Sequence, residues 1–144
     1  MSVYVDTSAI LRRLFHASTE LPNWGSWEQA CTRELWRVEA MRTTHRLRME
    51  NRIKDQDVAR LCDDMDTIDG CFHVIRLSPE ILRRASEAMP AIIGTLDALH
   101  LATALHARTT MAIDRFITHD KQQALAAKAV GFTVEGVNRQ SLFG

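Results

Sequence analysis

Apolar and polar positions along the chain follow two alternating periods. The short apolar run Val3-Tyr4-Val5 predicts a strand, and Ser8–Phe15 behind it reads as a helix. Residues 18–26, with Pro22, Asn23 and Gly25, predict a loop. Thr32–Arg48 reads as a long helix with at most a short extended entry. In Lys54–Ile68 the residues Val58, Leu61, Cys62, Met65 and Ile68 recur at helical spacing, and Gly70 punctuates the end of that helix. Phe72–Leu77 is strand-like. Ser78 then caps a helix with Pro79 at its first position, running to about Met89. A further helix starts at Gly94 or Thr95 and ends near Arg108. Ile113–Thr118 predicts a strand, Lys121–Ala129 a helix closed by Gly131, and Phe132–Val134 a last strand. Strands separated by helices predict an α/β fold, a three-layer α/β/α sandwich around a central, mostly parallel sheet. One domain is expected over residues 1–144, a length that can bury a core.

Composition changes this picture little. Hydrophobic residues make up 46% and charged residues 25%, as in an ordinary soluble globular protein. The start lacks the basic and apolar regions of a signal peptide, and no apolar run is long enough to span a membrane, so a cytoplasmic protein is expected. Cys31, Cys62 and Cys71 show no CxxC spacing, which favours reduced thiols over a zinc site. Net charge is zero, yet its distribution is bipolar. Six arginines (33, 37, 42, 46, 48, 52) precede six aspartates (55, 57, 63, 64, 66, 69). Two readings follow: solvated helix faces that attract each other, or a basic helix that meets phosphate.

Four acids stand in apolar surroundings. Asp6 ends the first strand, Asp97 opens the nearly all-apolar run Leu96–Leu105, and Asp120 follows Phe116-Ile117-Thr118. Glu39 lies on the long helix, with Arg42 and Arg46 near its face. Simpler roles exist for three of them: a helix cap at Asp6, a surface pair at Glu39, a capping aspartate paired to His100 at Asp97. Buried carboxylates are costly unless paired or bound to a cation, however. Acids that converge from distant positions therefore suggest a hard divalent metal. Ligands of open α/β sheets bind at the carboxyl ends of strands, where Asp6 and Asp120 fall. Asp114 precedes its strand and belongs at the opposite edge, so Asp120 is preferred as the fourth acid.

The pattern resembles the PIN-domain ribonucleases, and within them the VapC-type toxins of toxin–antitoxin systems. The resemblance is carried by Val5-Asp6-Thr7-Ser8-Ala9, Arg37-Val38-Glu39, Thr95–Ala104 and Phe116-Ile117-Thr118-His119-Asp120, in an order that runs through essentially the whole chain. It implies a PIN-like sandwich and an endoribonuclease dependent on Mg2+, with Mn2+ as a substitute. Asp6, Glu39, Asp97 and Asp120 match the family's catalytic and metal-binding acids, and Thr7, Ser8 and Thr118 match hydroxyl positions near the metal. It also implies an RNA substrate, tRNA in many relatives, a small VapB-type antitoxin that covers the site, and a homodimer. Arg42 and Arg46 would position phosphates, because arginine recognises them bidentately.

Other readings stay on the table. An aspartyl-nucleophile phosphatase needs a second acid two residues after the first, and that position is Ser8. A non-catalytic binding module would use the acids only structurally. Leu14, Phe15, Trp24 and Trp27 are candidates for an antitoxin groove, since tryptophan is enriched at binding hot spots, whereas Trp36 reads as core. His16, His45, His73 and His106 lack ligand spacing.

Overall fold

The computed structural model describes residues 2–15 and 25–137. Its elements are β1 (Ser2–Val5), α1 (Thr7–Phe15), β2 (Gln29–Arg33), α2 (Trp36–Met49), α3 (Asp55–Cys71), β3 (His73–Ile75), α4 (Pro79–Ala85), α5 (Thr95–Arg108), β4 (Ile113–Ile117), α6 (Lys121–Ala129) and β5 (Thr133–Glu135). The strands form one sheet in the order β3-β2-β1-β4-β5, with every pairing parallel. Helices α1, α2 and α3 contact one another, as do α4 with α5 and α5 with α6. The predicted three-layer α/β/α sandwich is what forms.

Strand alternation divides the core in two. On one side of β1, Tyr4 packs with Leu101, Ala104, Phe116 and Ala127. On the other, Val3 and Val5 pack with Ile10, Trp36, Leu61 and Met65. Val3, Tyr4 and Val5 of β1 are fully buried, which is why this strand reads as a continuous apolar run. Trp36 is core, as expected, and its indole N–H donates to Asp69 (2.9 Å).

Three element boundaries and one strand register depart from the sequence reading in ways that matter to the fold. Residues 29–33 form a central strand rather than an extension of the following helix. Cys31, Thr32 and Arg33 are buried together, and a strand covered on both faces loses the period-2 contrast that identifies strands. Helix α3 continues through Gly70 to Cys71; nothing lies within 4 Å of where a Cβ on Gly70 would stand. Helix α4 stops at Ala85, and Met89 instead packs against the α5 side of the core. Strand β4 carries a register shift: Ile113 pairs with Ser2, and Arg115 with Val3. Asp114, which lies inside β4 rather than ahead of it as expected, therefore drops out of register, exposed at the strand's amino end. The predicted cap of α4 is present, with Ser78 Oγ accepting from Ile81 N–H at 3.2 Å.

All three cysteines are free, and burial pushes the Cys31 thiol up to about 12. No helix among the described residues is long and apolar enough to cross a membrane.

Candidate active site

The chain adds β2 and β3 on one side of β1, then crosses to add β4 and β5 on the other. The crevice at this reversal, at the strands' carboxyl ends, is where ligands of open α/β sheets bind. Asp6 leaves β1 there, and Thr118 and Asp120 leave β4 beside it. Asp97 comes from the first turn of α5 and Glu39 from the first turn of α2.

Asp6 is 3% exposed and firmly held. It accepts hydrogen bonds from Thr118 Oγ1 (2.6 Å), Ser8 Oγ (3.3 Å) and Ser8 N–H (3.3 Å). Ser8 Oγ also accepts from His119 N–H (3.0 Å), and Thr118 Oγ1 accepts from Asp120 N–H (3.1 Å). The hydroxyls thus lock the ends of β1 and β4 together around the carboxylate. Asp120 caps α6, with Oδ1 accepting from Gln123 N–H (2.8 Å), while Gln123 Nε2 donates to the Asp97 carbonyl (2.8 Å).

Burial pushes the Asp97 carboxyl up to about 6, and the charges of Asp6 and Asp120 push the same way. The pull of His100 and Arg33 is too weak to offset them. The helix amino end favours a negative charge at Asp97, so burial together with the neighbouring carboxylates outweighs the dipole. Asp6, Asp97 and Asp120 are therefore electrostatic neighbours. Asp114 lies at the sheet's other end.

Glu39 behaves differently. Burial opposes its ionisation more than any other single influence, yet His100 and Arg33 together hold its carboxyl below the ordinary value. Its Oε1 pairs with the Arg33 guanidinium and accepts from Thr7 Oγ1 (3.1 Å). The expected orientation of Asp97 by His100 is not what the fold builds. His100 Nε2 lies 3.2 Å from Asp6 Oδ1, 3.6 Å from Glu39 Oε1 and 2.8 Å from Thr7 Oγ1. Its Nδ1 bonds Tyr4 Oη at 2.7 Å. Burial raises the Tyr4 pKa well above its ordinary value, despite the opposing charge of Arg33, so the phenol stays neutral against the imidazole.

A groove of about 530 Å3 opens from Ser8 and Asp120 along α1 and α2. Arg12, Arg46 and Arg52 line it, with Phe15 on its wall. Arg46 thus shares the groove with Ser8 and Asp120. Arg42 is exposed on α2 and does not line the groove, and Leu14 lines a different depression beside Arg60 and Asp64. Trp27 is half-buried against the α1–α3 side of the core, and Trp24 and His16 lie outside the described residues. Of the bipolar stretch, Arg37 pairs with Asp66 (2.6 Å) and Asp69 (2.8 Å), and Arg48 with Asp55 (2.8 Å). Those arginines belong to mutually attracting faces.

Sequence reasoning missed Arg12, Arg52, Arg33 and Gly136. Gly136 has φ +103°, and a Cβ there would stand 2.3 Å from the Thr118 carbonyl oxygen. Its carbonyl bonds His119 Nδ1 at 2.6 Å. Only the crossover that lays the end of β5 on β4 makes this glycine necessary.

The donor set is carboxylate oxygen and hydroxyl, which suits a hard divalent cation. Burial, and after it the charges of Asp6 and Asp120, disfavour the ionised form of Asp97, and a nearby cation would act in the opposite direction. Among the described residues, no three His, Cys, Asp or Glu side chains stand ready-made around a single ion. Asp6 accepts hydrogen bonds at both carboxylate oxygens, and Asp120 caps α6 through Oδ1.

The PIN domain family model matches residues 3–129. Ribonuclease VapC47 of Mycobacterium tuberculosis is 31% identical over 137 residues, which cover 90% of this chain and 93% of that protein. The crystal structure of PAE2754 from Pyrobaculum aerophilum shares the fold with a TM-score of 0.59 at 19% identity, covering 93% of this chain and 92% of that one. A family match across nearly the whole chain, with the acids gathered at the crevice of the expected sheet, places this chain in the PIN-domain family as a VapC-type ribonuclease.

Proposed function

We propose that this ribonuclease is the toxin of a toxin–antitoxin pair, an endoribonuclease that hydrolyses RNA phosphodiester bonds with Mg2+ or Mn2+ to leave 5′-phosphate and 3′-hydroxyl ends. The observation that carries the reading is the cluster of Asp6, Asp97 and Asp120, in which burial and like charge push one carboxyl up to about 6. These three carboxylates would hold the metal. When bound, a divalent ion supplies Lewis-acid polarisation of the phosphate and a more acidic water. Thr118 and Ser8 orient Asp6 by direct hydrogen bonds. Glu39, fixed by Arg33 and Thr7, would orient the attacking water. Arg46, with Arg12 and Arg52 along the groove, would bind phosphates on either side of the cut, and Arg42 would meet the strand further out. The RNA is single-stranded at the cut, in a loop such as those of tRNA, because its bases are readable there.

A small VapB-type antitoxin would cover the groove beside Phe15, and the working unit would be a homodimer. Both rest on family membership. The test is cleavage of single-stranded RNA with Mg2+, with chelator, and by Asp6→Ala and Asp97→Ala. Loss on the order of 10²-fold or more is expected for each substitution. Wild-type cutting by either variant overturns the site assignment.

A further inference from the structure

Arg33 stands beside the acids, and the proposed chemistry gives it no part beyond fixing Glu39. It ends β2 and is completely buried. One of its terminal nitrogens pairs with Glu39 Oε1. The other donates to the Leu96 carbonyl at 2.7 Å, in the first turn of α5 just ahead of Asp97. Its Nε is buried with no partner among the described residues. One guanidinium therefore ties together two of the helices that bring acids to the site, while one of its own donors goes unpaired.

Stability alone explains this poorly. Buried donors are ordinarily all paired, and a buried ion pair is seldom better for stability than apolar residues of the same volume. What Arg33 does supply is a permanent positive charge among carboxylates, at a position where a sheet residue would ordinarily be apolar. A divalent ion approaching Glu39 would meet that charge at contact range, and would find Oε1 already engaged by Arg33 and by Thr7 Oγ1 at 3.1 Å.

We propose that Arg33 is a resident cation of this site, standing beside Glu39 where a second divalent ion would otherwise bind, so that the carboxylates hold one divalent ion per chain. This rests on the metal-dependent reading above. Arg33 is then a positioning residue: it holds Glu39 for work on water and keeps it from ligating metal.

Mn2+ counted by electron paramagnetic resonance on the full chain tests this independently of cleavage. Wild type, Glu39→Gln and Arg33→Lys should each bind one ion. Arg33→Met should bind two, and the Arg33→Met/Glu39→Gln double variant one again. Two ions on wild type, with one lost in Glu39→Gln, overturn the inference while leaving the metal site intact. So does a folded Arg33→Met that still binds one. If Arg33→Met does not fold, Glu39→Gln decides: retention of the single ion supports the inference, and its loss overturns it. No ion on wild type sinks the metal reading and this inference together. Asp97→Asn serves as control and should weaken Mn2+ by about tenfold or more.

Discussion

Asp97 keeps its proton to about pH 6 because burial and the carboxylates of Asp6 and Asp120 all disfavour its charge. The sign of the consequence follows from linkage. Between the ordinary value of 3.8 and about 6, the native state holds a proton that the unfolded chain releases. Stability contributed at Asp97 is therefore present at low pH and lost as pH rises through that window. In metal-free protein Asp97 should contribute a fall in melting temperature between about pH 4 and about pH 6, and Asp97→Asn should remove that part of the slope. A calorimetric pH series on both proteins, with chelator present, checks it. A slope equal in the two proteins would mean that Asp97 titrates normally. Asp97 was legible in the sequence because its signal is local, an acid inside an apolar helical run. Arg33 was not, because a basic residue next to a helix rich in arginine looks like more of the same. Only burial of β2 between β1 and β3 sets it apart.

Asp120 caps its helix and, under the proposed function, also serves the site. Its carboxylate accepts from Gln123 N–H at the start of α6 and also contributes to the charge around Asp97. Asparagine can cap as well as aspartate, whereas alanine cannot. Asp120→Asn should therefore keep stability within a few tenths of a kcal/mol yet lose cleavage, while Asp120→Ala should lose about 1 kcal/mol as well. Urea denaturation beside an RNA cleavage assay separates the two tasks. Gly136 makes a comparable link between an element and the site. Gly136→Ala adds a Cβ against the Thr118 carbonyl at φ +103°, so a loss of roughly 1–3 kcal/mol is expected, measured by the same denaturation. Helix starts such as Ser78-Pro79 were readable because caps and turns act over a few residues. Strand β2 was not, because a strand buried on both faces carries no alternation.

At the level of the folded molecule, the zero net charge hides a division of labour among arginines. Arg37 and Arg48 are held by aspartates of α3, whereas Arg12, Arg46 and Arg52 line the groove that leads to the acids. Arg12→Ala and Arg46→Ala should each weaken RNA binding. Each should also make the dependence of log affinity on log salt shallower by about 0.7, the single-strand value for one lost phosphate contact. Arg37→Ala should leave that slope unchanged. Binding titrations to a catalytically inactive Asp6→Ala background at several salt concentrations distinguish these outcomes.

The sequence by itself determined the kinds of elements, most of their order and the acids at Asp6 and Asp97, because periodicity, caps and an acid in an apolar run are properties of neighbouring residues. The tertiary structure alone decided which carboxylates become neighbours. Pairing of β1 with β4 sets Thr118 Oγ1 between Asp6 and Asp120, bonding the carboxylate of one and the amide of the other. Packing of α5 turns His100 toward Asp6 and Glu39 instead of Asp97. The same packing seals the guanidinium of Arg33 beside Glu39. Each of these depends on contacts between residues far apart in the chain, which no local pattern encodes.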